Sequence, residues 1–311
     1  MTEQRPPRAL RWAVRLHPAA YRAEHEAELT AIYTEATQDA GPLGRLREAL
    51  DVAGHGLRRR TGLGSDRMAG QVLAHAAPLT VAAAAGGSAA SLLWLFAPGV
   101  RGLPSASSLP GVLLLADQGL VPLFWLAALT AVWTGRWSVA RTLVVPATVL
   151  RLADLPLLLL AHSFHDTYAG AALNLIVPLL TGAMVLAAPG DLLGTSRPQR
   201  TAIAGTTALT AVLWVADLVG VYHPLVGGPL LIHALWAGVL AAALLFSRRD
   251  RLTAAGLAVA LLPSALKMTV SLLYPMSPAG VGALLVLLLS GAVSVVRARR
   301  RRAQVNPPSA A

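Results

Sequence analysis

The stretch Arg141–Asp166 reads RTLVVPATVLRLADLPLLLLAHSFHD. Its apolar run is long enough to cross a bilayer, since about 20 residues rising 1.5 Å each match a hydrocarbon core of roughly 30 Å. Arg151 and Asp154 nevertheless stand near its middle. A charged group in hydrocarbon costs roughly 2.5–3.5 kcal/mol on insertion scales, so it is rarely placed there without a partner. Spaced i, i+3, the two lie on one helix face within reach of each other.

The rest of the chain enlarges this pattern. From Met68 onward, apolar blocks alternate with short polar breaks, and eight spans are predicted at roughly 71–97, 112–133, 139–162, 169–188, 201–222, 229–246, 252–273 and 280–297. The chain is 55% hydrophobic and 13% charged, with mean hydropathy +0.58. A soluble domain carries about 25% charged residues. The expected fold is therefore all-α: a polytopic transmembrane helical bundle of about eight spans with a small N-terminal cytoplasmic helical domain. The boundaries fall at 1–68 for that domain, 69–297 for the bundle and 298–311 for a basic, disordered tail.

Arginine placement gives an orientation. One set of connections holds Arg58, Arg59, Arg60, Arg67, Arg136, Arg141, Arg197, Arg200, Arg248, Arg249 and Arg251. The same set ends with Arg297, Arg299, Arg300, Arg301 and Arg302, whereas the alternate connections hold only Arg101. Sixteen against one predicts a multi-pass protein of the cell membrane with both termini cytoplasmic. The net charge of +11 is spread around apolar segments and does not line one soluble face, which argues against nucleic acid as a partner. With no cysteine there are no disulfides, thiolate metal sites or cysteine nucleophiles. The polar N-terminus lacks the apolar run of a cleavable signal, so the first apolar helix is expected to act as its own insertion signal.

Residues 1–68 hold nine of the fifteen acidic residues and eleven arginines. Three helices are predicted: Arg8 to Leu16, with Leu10, Ala13 and Leu16 on one stripe; a second from Pro18 with Tyr21, His25, Leu29, Ile32/Tyr33 and Ala36; and a third from Leu43 to Leu57 with Leu46, Leu50 and Ala53. About 60 residues make only a marginal core. The unit is thus expected to lean on the membrane surface, a partner or a second copy.

The run Leu16-His17-Pro18-Ala19-Ala20-Tyr21-Arg22, followed by His25-Glu26-Ala27-Glu28-Leu29, resembles the permease-prefix helical domain of bacterial membrane proteins. That domain precedes membrane segments in some ABC-type permeases and in proteins associated with PadR-type regulators. Arg45-Leu46-Arg47-Glu48-Ala49-Leu50 resembles its third helix. His17 stands where the family commonly has tyrosine, and Glu26 where it has glycine. The match covers roughly a fifth of the chain. It implies a cytoplasmic interaction or signalling module, with Tyr21, Arg22, His25 and Glu28 as partner-binding candidates.

Within the predicted spans the ionisable residues are Asp117, Arg151, Asp154, Asp217 and Lys267, joined by His233. Most lie at mid-depth or in the predicted outer half. Three readings compete, one of them coincidence. The pairs Arg151–Asp154 and Lys267–Asp217 fix helix packing, or the cluster lines an outward cavity for a small ligand, ion or proton. Packing is the favoured reading. His162-x-x-His165-Asp166 has ligand types suited to a metal but no second cluster to complete a site. The arginines from Arg297 to Arg302 anchor the last span and are candidates for anionic-lipid binding.

No Walker, Rossmann or nucleophile-elbow pattern occurs. No cofactor and no enzymatic activity are therefore expected. Function is predicted as a membrane-anchored signalling or interaction protein using its N-terminal domain, in contact with membrane lipids and a cytoplasmic regulatory protein or a second copy. The alternative is a transporter using the intramembrane polar cluster.

Overall fold

The structure, a computed structural model, describes residues 7–95, 109–161, 168–194, 196–222, 251–264 and 266; among them every extended regular element is helical. The helices are α1 (Arg8–Arg15), α2 (Ala19–Ala36), α3 (Pro42–Thr61), α4 (Met68–Leu95), α5 (Leu109–Trp133), α6 (Trp137–Ala161), α7 (Tyr168–Ala187), α8 (Arg197–Tyr222) and α9 (Arg251–Ala260). A 3-10 turn at Gly190–Leu192 separates α7 from α8. Helices α4 to α8 coincide with the first five apolar blocks, and α9 opens the seventh. The blocks at 229–246 and 280–297 and the basic tail lie outside the described residues.

The chain divides into two compact units: Met1–Ala74 with Ala187–Leu193, and His75–Leu186 with Gly194–Ala311. In the first, Leu10, Val14, Tyr33 and Ala49 form a core that Val52 lines from the side. Helix α1 packs mainly on α3. The Tyr33 hydroxyl donates to the Arg45 carbonyl at 3.2 Å, which ties α2 to the start of α3.

The inward face of α3 differs from the predicted one. Ala53 is buried as expected, but Leu46 and Leu50 are 52% and 55% exposed. The reason is packing distance: Ala49, Ala53 and Gly56 face the interior, where small residues allow a neighbouring helix to come close. The larger leucines are displaced to the flank. On α2, of the adjacent pair Ile32 and Tyr33, Tyr33 is buried and Ile32 is exposed.

The connection from α3 to α4 is an elbow built by local chemistry. Gly62 adopts φ +73°, a left-handed position that favours glycine, and the Leu63 N–H donates to the Arg58 carbonyl at 2.8 Å. Asp66 then meets Arg59 at 3.9 Å and Arg67 at 3.5 Å. In the first turn of α4, a Cβ on Gly70 would collide with the Gly64 carbonyl and lie 2.7 Å from that of Leu63. The Gln71 side chain donates to the Ser65 carbonyl at 3.4 Å. The two helices are joined by a hydrogen-bonded corner.

In the second unit α4 is the inner helix. Ala76, Ala77, Val81, Ala82, Ala85 and Ala90 are each fully buried. Gly86 admits the Thr207 carbonyl and the Thr210 hydroxyl of α8, and Gly87 admits the Trp214 ring. On another side, Thr80 meets the Met184 sulfur of α7 at 3.8 Å, and Ala76 and Leu79 pack on Ala260 of α9. Small residues let helix backbones approach without relying on a hydrophobic drive. Helices α5 and α6 form a hairpin whose turn is set by Gly135 at φ +77°, with the Arg136 N–H donating to the Ala131 carbonyl at 2.8 Å.

Gly86→Ala is therefore expected to lower the thermal midpoint, since forced overpacking costs about 1–3 kcal/mol. Gly119→Ala on α5 meets open space and is expected to be neutral or stabilising. Equal midpoints for the two variants in a thermal-unfolding series would refute the close α4–α8 contact.

Candidate functional site

The most structured polar cluster among the described residues lies in the N-terminal unit. Helix α1 ends at Arg15, and the His17 N–H donates to the Val14 carbonyl at 3.0 Å. Pro18, at φ −55° and ψ 145°, turns the chain into α2. This reversal places the His17 ring inside the unit, where it is 2% exposed.

Two rings flank it. Tyr21 lies nearly parallel at 5.4 Å between centroids, and His55 of α3 stands at 5.6 Å. His25 extends the stack, 4.4 Å from Tyr21. The Arg59 guanidinium covers the Tyr21 ring at 5.3 Å, a cation–π contact. His17, Tyr21 and His25 recur every four residues, so they share one side of the chain as it enters α2; His55 and Arg59 repeat that spacing on α3. Gly56 lies beneath His17, and a Cβ there would sit 2.7 Å from the ring Cε1.

Neither His17 ring nitrogen has a hydrogen-bond partner among the described residues. Burial pushes the His17 pKa below its ordinary value; the Ala13 and Val14 carbonyls oppose this, while Arg22 and Arg59 add to it. His55 is shifted the same way, first by burial and then by His17, Arg58 and Arg59, with Asp191 acting in the opposite sense. Asp191 comes from the Ala187–Leu193 segment, which belongs to this unit although it follows α7 in the chain.

The four partner candidates from the sequence thus meet at one end of α2. Tyr21 and His25 are half-buried in the stack, and His25 Nδ1 is 3.2 Å from Glu28. Arg22 donates to the Arg15 carbonyl at 3.4 Å. Sequence reasoning did not single out His17 and His55 as members. The four-residue spacing of His17 with Tyr21 and His25 was the available signal, but the approach of His55 depends on how α3 packs.

The cluster carries no nucleophile paired with a base, and no group of three or more metal-ligating side chains occurs among the described residues. What it can do is recognition: an aromatic and cationic surface with the exposed carboxylates Glu24 and Glu28 at its rim.

The other predicted residues are placed less completely. Arg151 is on α6 and exposed. Asp117, Asp154 and Asp217 belong to α5, α6 and α8, but their side chains lie outside the described residues. So do His162, His165, Asp166, His233, Lys267 and the arginines from Arg297 to Arg302. No family model, curated protein or solved structure matches this chain.

Proposed function

We propose that this protein is a multi-pass protein of the bacterial cell membrane whose N-terminal helical unit binds a cytoplasmic partner and passes that event to the membrane helices. Support for the membrane setting comes from lengths, surfaces and breaks in the helices. Helix α4 contains Met68–Leu93, which is long and apolar enough to cross a membrane. Helices α5 to α8 run 20 to 26 residues, matching a hydrocarbon core of about 30 Å. Leu123, Val149, Leu179 and Val212 are exposed on them. Large apolar side chains exposed on several helices suit lipid better than water. Pro78, Pro122 and Pro178 stand inside α4, α5 and α7, and interior prolines are tolerated in membrane helices.

The observation that carries the signalling reading is the elbow. A flexible linker would isolate the N-terminal unit from α4. Gly62, Asp66 and Gly70 instead fix α3 to the first turn of α4. In this reading, displacement of α3 by a partner acts on the first turn of α4. The resemblance to the permease-prefix domain supports the same reading and suggests a PadR-type regulatory system as the partner's source.

Deleting residues 1–60 is expected to abolish co-purification of the cytoplasmic partner while membrane insertion persists. A truncated protein that keeps both its partner and its regulated output overturns the proposal. Gly70→Ala is expected to retain the partner and reduce the output about tenfold, on a cost of roughly 1–3 kcal/mol for forcing the corner open.

A further inference from the structure

Helix α3 carries a feature that partner binding through α2 does not use. Leu46, Leu50 and Leu57 are each more than half exposed. At about 100° per residue they fall within about 40° of one another, forming a single outward stripe. Arg60 lies about 40° to one side, and Arg47 and Arg58 lie about 60–80° to the other. The acidic residues of the helix, Glu48 and Asp51, fall about 100–160° away from the stripe. Among the described residues no ion pair engages Arg47, Arg58 or Arg60.

We propose that this arginine-bordered leucine stripe of α3 rests on an anionic lipid surface. The proposal rests on the membrane reading above. An apolar stripe with three cations within about 80° of it, and the anions farther round the helix, is the pattern of a helix lying in the interface of a negatively charged leaflet. The elbow supplies the position. Helix α3 ends at Thr61, α4 starts at Met68, and the corner between them is hydrogen-bonded, so the basic end of α3 is held at the first turn of α4. A protein partner or a second copy would have to bury a stripe bordered by arginine on both flanks and supply the opposing charges. An anionic bilayer supplies both the apolar phase and the charge.

The chain has no cysteine, so single cysteines can carry a fluorescent reporter in the full-length protein. Leu50→Cys, Asp51→Cys and Val212→Cys would each be reconstituted into vesicles of phosphatidylcholine, with or without phosphatidylglycerol, that contain a nitroxide-bearing lipid as quencher. The reporter at 50 is expected to be quenched at least twofold more in the anionic vesicles, and the reporter at 51 much less. Replacing Arg47, Arg58 and Arg60 by glutamine is expected to weaken that contact about fivefold per arginine, as is raising the salt. Equal quenching at 50 in neutral and anionic vesicles overturns the proposal. So does burial of that reporter in detergent that grows with protein concentration, which marks a second copy, or burial that requires an added cytosolic protein. The reporter at 212, on an exposed apolar position of α8, separates the two readings. If it is quenched while 50 is not, lipid docking alone fails; if neither is quenched, the membrane reading fails and takes docking with it.

Discussion

Gly56→Val is expected to destabilise the N-terminal unit by about 1–3 kcal/mol while the apolar helices are unaffected. The added side chain would enter the space of the His17 ring, whose Cε1 is 2.7 Å from where a Cβ would stand. That ring has nowhere to go, since Tyr21 lies parallel on it and His55 flanks it. Overpacking in such a site costs about 1–3 kcal/mol, and a β-branched residue recovers only part of the helix propensity that glycine gives up. A core of this size rarely supplies more than about 3–5 kcal/mol. Hydrogen exchange on residues 8–61 of the full chain would read the loss. Protection unchanged from the parent protein would mean that His17 is free to move and that the stack is not structural.

Acidification is expected to act on the same place. His17 and His55 both have pKa values lowered in the folded unit, chiefly by burial. In the unfolded chain they titrate near 6.5. The unfolded state therefore binds more protons between 6.5 and the lower folded values, and stability falls as pH drops through that window. Above 6.5 both states are neutral and the contribution is constant. Burial sets the sign; among the charged groups around the pair, Arg22, Arg58 and Arg59 also oppose a proton, and Asp191 favours one on His55. Protection factors across residues 8–61, corrected for the intrinsic exchange rate, are expected to decline from pH 7 to pH 5. His17→Phe, which keeps a flat ring on Tyr21, is expected to shallow that decline. A profile with the same slope in both proteins would show that His17 does not take up the proton.

Much of the fold was legible in the chain itself. The three short helices before Met68 and the apolar helices after it follow from local periodicity and from Gly41-Pro42 and similar breaks, which act within a few residues. Helix α4 carries the small-residue run Val81-Ala82-Ala83-Ala84-Ala85-Gly86-Gly87, but its close packing and the helices that fill that groove were not read from it. The site was half legible. Tyr21, Arg22, His25 and Glu28 share one helix, so their association is a matter of spacing alone.

Other features needed the tertiary structure. Leu46 and Leu50 carry the stronger apolar signal of α3, yet Ala49, Ala53 and Gly56 face the interior, because the distance to the neighbouring helix, not hydrophobicity, decides which residue fits. His17 and His55 are distant in the chain and meet only because the turn at Pro18 and the packing of α3 bring them together. The sequence by itself determined which segments are helical, because hydrogen bonding and side-chain periodicity along a helix are local. Which face each helix buries, and the histidine stack that results, were decided by the approach of separate helices, a property that no single stretch of sequence contains.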